Sequence, residues 1–460
     1  LIYFPLVFPE LLNPQPILEM YYIIGLFIFI NPWLYILLKN IKSIYSPATD
    51  LSEYNHIAIK GNKITGILKE INNIKSDFDK VIDCSDKVAL PGLINTHTHS
   101  SMSLLRGYAD DYRLDKWLND KIWPAEAKLN SEDIYWGAML AVVEMIKTGT
   151  TVFNDMYFQM DQVAEVVEKT GIRAVLSEGL IEDNDGIEGL EDSVDFAVRW
   201  QGKAEGRIKT CLGPHSPYTC SADYLEKIRD KALKNDLLIH IHISETADET
   251  DFMNDKYGLT SVELFDQIDL FAAKVIAPHC VHLNDNDIDI LAQKDVGVTY
   301  NPASNMKLSS GIAPISKFLD KGINVSYGTD GAASNNNLDL IEEARLGSYL
   351  QKVATGNPTV LPIEETLEML TINGAQTLGI KQLGKLEEGY LADIILIDIK
   401  NIPHQYPSYN YLSNILYAGS GRDVDTVIVN GELIMEDRVL TKIDEKEVYK
   451  KTENLTQKYR

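Results

Sequence analysis

Between residues 35 and 90, apolar and polar positions alternate in short runs. "YILLKNIKSIY", "HIAIKGNKITGILK" and "KVIDCSDKVALPG" are rich in Ile and Val and bounded by turn residues, which predicts β-strands. Gly61-Asn62 separates two such runs and predicts a hairpin turn. After Pro91-Gly92 the rhythm changes to short apolar runs alternating with longer amphipathic stretches. The runs fall at 93–99, 149–155, 172–179, 208–215, 237–245, 274–282, 296–304 and 323–330. Strands alternating with helices predict a parallel α/β fold, and eight such units predict a (β/α)8 barrel over residues 91–383. The tail then returns to strands, at 384–398 and 424–440, with Asn430-Gly431 as a turn. Residues 35–90 and 384–440 are expected to pair as one small β-sandwich domain around the inserted barrel. The charged segment 441–460 is expected to close the chain as a surface helix.

Residues 1–34 stand apart as an apolar extension. Tyr21 to Leu38 is almost wholly apolar, broken by Asn31-Pro32, and is long enough to suggest a membrane span. It lacks the basic start and small-residue cleavage site of a signal peptide. Lys39 and Lys42 follow it, so an anchored form would keep the remainder cytoplasmic. Leu1 is not Met, and the first Met is Met20. An over-extended reading frame or dispensable extension is therefore the preferred reading, and a membrane partner is not expected.

Composition narrows the chemistry. The chain has 460 residues, 45% hydrophobic and 24% charged, with a net charge of −24. These are values of a folded chain large enough to build its core without disulfides. The acidity argues against a nucleic-acid backbone as partner and leaves a small molecule open. The four cysteines form no C-x-x-C pair, which fits the reducing cytoplasm and excludes a thiolate zinc site of ribbon type.

Seven of the nine histidines fall at or near the C-terminal ends of predicted barrel strands. Active sites of such barrels sit at that end. His97 and His99 are two apart on the first strand, so both imidazoles can enter the barrel mouth. The fifth strand carries His240 and His242, with Glu245 three residues on. His242 is read as the ligand and His240, one layer deeper, as a core or supporting residue. The sixth strand ends in His279, followed by His282, which is read as structural. Asp330 ends the eighth strand. Three neutral imidazoles and a carboxylate suit one divalent ion and leave a position for water. Zinc is favoured, and iron, manganese or nickel fit the same donors. Such an ion lowers the pKa of water from about 15.7 towards 7, and Asp330 can accept the proton released.

"PGLINTHTH", the His242 strand, "APHCVHL" and "YGTDGAASNN" resemble the amidohydrolase superfamily over about residues 35–440. More narrowly, "LLRGYADDYRLDKWLNDKIWPAEAKL", "GTTVFNDMYF", "HIHISET" and "NPASNMKLSSG" resemble the 5-methylthioadenosine/S-adenosylhomocysteine deaminases and the related 5′-deoxyadenosine deaminases. The resemblance implies metal ligands at His97, His99, His242 and Asp330. It also implies an acid at Glu245, substrate contacts at Glu126 and His215, and an oxygen-polarising residue at His279. It implies deamination of an adenosine 5′-derivative and a homo-oligomer, dimer or tetramer. A guanine or pterin deaminase, a chlorohydrolase or a non-catalytic scaffold are the alternatives. Two-metal relatives carry a carboxylated Lys at the fourth strand end. Here His215 stands there, so one metal is expected. Relatives that act well on S-adenosylhomocysteine carry an Arg where this chain has Glu178. An acid is expected to repel that substrate's carboxylate, which favours 5′-deoxyadenosine.

Overall fold

The computed structural model describes residues 34–71 and 77–459. The extension or anchor reading of residues 1–33 lies outside them. The end of the apolar run, Tyr35–Lys39, forms strand β1. Among the described residues, no helix is long and apolar enough to cross a membrane.

The strands before the barrel are β1, β2 (Ser43–Ile44), β3 (His56–Lys60), β4 (Lys63–Leu68), β5 (Lys80–Asp83) and β6 (Lys87–Pro91). The barrel strands are β7 (Leu93–Thr98), β8 (Thr150–Tyr157), β9 (Arg173–Leu180), β10 (Ile208–Pro214), β11 (Leu238–His240), β12 (Val275–Pro278), β13 (Gly297–Tyr300) and β14 (Val325–Tyr327). After them come β15 (Ile394–Asp398), β16 (Val424–Val429), β17 (Glu432–Glu436) and β18 (Val439–Leu440). Strands β7 to β14 lie in chain order in one eight-stranded parallel sheet. Its ends are drawn together by Thr96 Oγ1 donating to the Tyr327 carbonyl at 2.9 Å and by Asp330 N donating to the His97 carbonyl at 3.0 Å. Gly328 permits this closure, because a Cβ there would lie 2.9 Å from His97 Cβ and 2.6 Å from Thr299 Cγ2.

The flanks form two further sheets, β4-β3-β1-β5 and β18-β17-β16-β15-β6-β2. Strand β6, from before the barrel, pairs antiparallel with β15, from after it. The six-stranded sheet buries both faces. Ile394, Leu396 and Ile428 pack on Ile36, Leu38 and Ile57 of the smaller sheet. Ile395, Ile397, Val427 and Val429 face the large core that includes the barrel. That two-sided burial explains why "IILI" and "VIV" are continuous apolar runs rather than alternating ones. The closing helix, Glu445–Thr456, buries Val448 and Thr452, and Lys458 pairs with Asp133 at the start of the helix after the first barrel strand.

Several barrel strands stop earlier than their apolar runs. The fifth run extends to Glu245, but its ladder ends at His240. The sixth extends to His282, but its ladder ends at Pro278. Beyond these points Ser244, His279 and Cys280 take positive φ, so the chain turns out of the sheet. The seventh run ends because Pro302 opens a helix, Pro302–Lys307, a position where a missing N–H costs nothing.

Candidate active site

The splayed strand ends build the site. His97 lies on β7 and His99 directly follows it. His215 follows β10, His242 is two residues past β11, His279 follows β12 and Asp330 is three past β14. A β-bridge between Ile243 and His279 sets the fifth and sixth strand ends side by side. Ser244, His279 and Asp330 are non-glycine residues with φ of 49°, 73° and 59°. Conformations of this kind cost about 1–3 kcal/mol each and persist where the surroundings hold them.

His97 and His99 each place Nε2 3.3 Å from Asp330 Oδ1. The donor atoms of His97, His99 and Asp330 lie within 4.8 Å of one another, and so do those of His97, His242 and His279. His97 thus belongs to both groups. Among the described residues, its Nε2 is buried without a hydrogen-bond partner. The far nitrogens are all held. His99 Nδ1 and His242 Nδ1 each donate at 2.6 Å to a backbone carbonyl, of Met156 and His215 respectively. His97 Nδ1 lies 2.9 Å from His240 Nε2. His279 Nδ1–H donates to Asn305 Oδ1 at 2.9 Å, leaving Nε2 for the cavity. Asp330 Oδ2 accepts from Ser304 Oγ at 2.6 Å and Ser334 Oγ at 2.8 Å.

Burial pulls His97 down to about 3 and His215 to about 4 and holds His242 well below the usual range, so these imidazoles are neutral and free to ligate. Burial also acts to lower His99, but the Asp330 carboxylate outweighs it and raises His99 to about 9. Burial acts to raise Asp330, and the imidazoles of His97 and His99 outweigh it and hold it well below the carboxylate range. A buried pair that keeps a proton on His99 and a charge on Asp330 is a place that stabilises positive charge. The unpartnered His97 Nε2 and the three-imidazole, one-carboxylate donor set fit a divalent ion, whose binding displaces such protons.

The cavity above these residues measures about 300 Å3. His215, Glu245, His279 and Glu126 all line it, so the residues singled out in the sequence converge on one space. Glu245 Oε2 lies 3.8 Å from His279 Nε2, and Ser310 Oγ donates to Oε1 at 3.4 Å. Burial pushes the Glu245 carboxyl up. Glu126 accepts from Tyr157 OH at 2.5 Å and is pushed by burial up to about 7. His240 supports His97 from below rather than lining the cavity. His282 donates from Nε2 to the Ser310 carbonyl at 2.6 Å, a loop tether.

One expectation is corrected. Glu178 does not line the cavity. Its Oε1 accepts from Met160 N at 2.9 Å, capping the helix Met160–Thr170. On that side the cavity is lined by Gly179, Ile181, Asn184 and Asp185. Period-two alternation carried the signal: if Gly179 faces the cavity, Glu178 beside it on β9 faces away. Ser304, Ser334 and Asn305 were also not singled out, although "NPASN" and "GAASN" contain them. Small polar residues on loops are too common to point to a partner on another strand.

Residues 88–434 match the amidohydrolase family model. A 5-methylthioadenosine/S-adenosylhomocysteine deaminase of Halothermothrix orenii is 53% identical, covering 92% of this chain and 99% of that protein. A 5′-deoxyadenosine deaminase of Methanosarcina acetivorans is 49% identical over 85% of this chain and 90% of that protein. An adenosine deaminase from Xanthomonas campestris, solved with bound zinc, superposes with a TM-score of 0.86 at 30% identity, covering 92% of this chain and 98% of that one. The chain belongs to the amidohydrolase family and, within it, groups with the 5-methylthioadenosine/S-adenosylhomocysteine deaminases.

Proposed function

We infer that the protein hydrolytically deaminates adenosine 5′-derivatives to the inosine analogues and ammonia, and that 5′-deoxyadenosine is preferred. The convergence of Glu245, His279, Asp330 and Glu126 on one cavity carries this reading, together with relatives named for such deaminations. His97, His99, His242 and Asp330 would hold one divalent ion, zinc by analogy with the Xanthomonas neighbour. When bound, that ion supplies the Lewis acidity that makes water nucleophilic near neutral pH.

The chain's own residues supply the rest. Attack at C6 of adenine builds negative charge on N1 unless N1 is protonated. Glu245, whose carboxyl is held protonated to higher pH by burial, donates that proton. His279, with Nδ1 fixed by Asn305, presents Nε2 to the attacking oxygen. Asp330 accepts the proton lost from water and passes it to the leaving amino group. Ser304 and Ser334 hold its other oxygen, so it swings little between the two positions. Glu126, steadied by Tyr157, accepts from the ribose hydroxyls. His215 closes the site as a donor to ribose or a purine nitrogen. Among the described residues no Lys or Arg lines the cavity, while Asp185 does, so nothing there pairs with the carboxylate of an amino-acid 5′-substituent. The four buried, unpaired cysteines fit a cytoplasmic location.

The test is kcat/KM for 5′-deoxyadenosine, methylthioadenosine, S-adenosylhomocysteine and adenosine on metal-loaded protein, followed by loss of the adenine absorbance band. 5′-Deoxyadenosine should rank first and S-adenosylhomocysteine last. No turnover of any of the four would overturn the reading. First rank for S-adenosylhomocysteine would overturn the preference.

A further inference from the structure

A second cavity, of about 620 Å3, adjoins the first. The two share Leu114, Leu118, Trp123, Tyr218 and Leu308. Its remaining lining includes Arg113, Asp115 and Asn119 on one segment and Ala247, Asp248, Glu249 and Phe252 on the helix Ala247–Tyr257, and Arg113 Nη2 lies 3.7 Å from Asp248 Oδ2 between the two. No step of the deamination uses this space.

Its position relative to Glu245 is informative. The two carboxyl oxygens of Glu245 face different neighbours. Oε2 faces His279 at 3.8 Å, on the side of the candidate metal ligands. Oε1 faces Ser310 Oγ at 3.4 Å, and Ser310 lines the second cavity. Tyr218, which lines both cavities, packs edge-on against His215 with ring centroids 5.7 Å apart. Its phenol is pushed up by burial and by the nearby Glu245 and Glu249 carboxylates. Tyr218 therefore stands between the Glu245 and His215 corner of the site and the second cavity.

In adenine, N1 lies between C6 and C2. This inference rests on the deaminase reading, which sets C6 at the metal ligands and N1 at Glu245. C2 then points along the other flank of Glu245, towards Ser310, Tyr218 and Leu308. We propose that the second cavity is a subsite for substituents at C2 of the adenine ring, so that 2-alkylated adenosine derivatives are substrates. The wall it shares with the first cavity, formed by Leu114, Leu118, Trp123 and Leu308, is apolar and offers an alkyl chain at C2 a surface to cover, while the charged residues Arg113, Asp115, Asp248 and Glu249 line the remainder.

The experiment compares 5′-deoxyadenosine with its 2-methyl and 2-butyl derivatives on the metal-loaded enzyme. Alkyl groups are electronically alike, so the series reads size. The 2-butyl compound should keep kcat/KM within about fivefold of the 2-methyl compound, since a missing or extra methylene in an apolar site changes binding by about 1–3 kcal/mol. Ala247→Trp, which fills the second cavity from its far wall, should leave 5′-deoxyadenosine within about twofold and lower the 2-butyl value at least about tenfold. Asn119→Trp does the same from the opposite wall, should the first variant not fold. Loss of more than about a hundredfold from 2-methyl to 2-butyl in the unaltered enzyme would overturn the subsite. So would an unchanged ratio in a folded filled variant. If 5′-deoxyadenosine itself is not turned over, the deaminase reading has failed instead.

Discussion

At the scale of single residues, the site depends on which way a carboxylate faces. Glu178 and Asp185 are near one another, yet only Asp185 lines the cavity. Asp185 should therefore set the charge preference at the 5′ end. Asp185→Asn is expected to raise kcat/KM for adenosine 5′-carboxylate, whose 5′ group is purely anionic, about three- to tenfold, the range of one partly exposed charge interaction, and to leave 5′-deoxyadenosine unchanged. Equal effects on both substrates would remove Asp185 from that role. Glu178→Gln should not alter selectivity, but it should alter stability. Burial, with Asp161 and Asp185, pushes Glu178 up from 4.5 to about 7. A carboxyl whose pKa rises on folding favours the folded state while protonated. That contribution is complete below pH 4.5 and is lost as pH climbs to about 7. Gln can still accept from Met160 N and carries no charge to bury. The variant should gain on the parent between pH 5 and pH 8, by at most about 3 kcal/mol. Denaturant unfolding at both pH values measures this, and a pH-independent difference would refute it.

At the scale of elements, the barrel was legible because each strand lies within a short apolar run between turn residues, and the runs alternate with amphipathic stretches. The H-x-H pair was legible because two residues apart on a strand means one face. Strand ends were not legible, because the apolar runs continue through Ile243 and Val281, past the last ladder residues His240 and Pro278. Nor were the ties between loops, which depend on residues far apart in sequence. Glu343 is the strongest of these. It is fully buried on the helix Leu340–Thr355, with Oε2 accepting from Ala303 N at 3.1 Å and Oε1 from Asn335 Nδ2 at 2.5 Å. Ala303 precedes Ser304 and Asn305, which hold Asp330 and His279. Asn335 also donates to the Thr329 carbonyl, next to Asp330. One carboxylate thus joins the loops after β13 and β14. Glu343→Gln turns an amide NH2 towards one of two donors, so one bond is lost and a clash of donors replaces it. Stability should fall by about 1–3 kcal/mol. Because the loops carry Asp330 and His279, kcat should fall at least about tenfold, with KM changed less. A stability loss with unaltered kcat would make Glu343 a structural tie only.

At the scale of the whole molecule, the barrel and the flanking sheets meet at the end of the barrel away from the site. Arg173 opens β9, at the N-terminal end of the barrel strands, and is buried. Its Nε and Nη2 each lie 3.1 Å from an oxygen of Asp393, which precedes β15, and Nη2 also donates to Asn430 Oδ1 at 3.2 Å. Asp393 Oδ1 in turn accepts from Asn430 N at 2.8 Å, on the turn between β16 and β17. The pair is 4% and 1% exposed, so neither charge can be solvated if the other is removed. Arg173→Met should cost about 3–5 kcal/mol, and Asp393→Met should cost a similar amount. Replacing both by Met should recover most of the loss, since a well-packed apolar pair is often as stable as a buried ion pair. All three variants should keep the KM of the parent, because the catalytic cavity lies at the opposite strand ends. Unfolding midpoints and steady-state kinetics on the same samples check both halves. A double variant as unstable as the sum of the singles would mean that the ion pair supplies more than mutual neutralisation. A raised KM would mean that the flanking sheets hold the barrel mouth in shape across its full length.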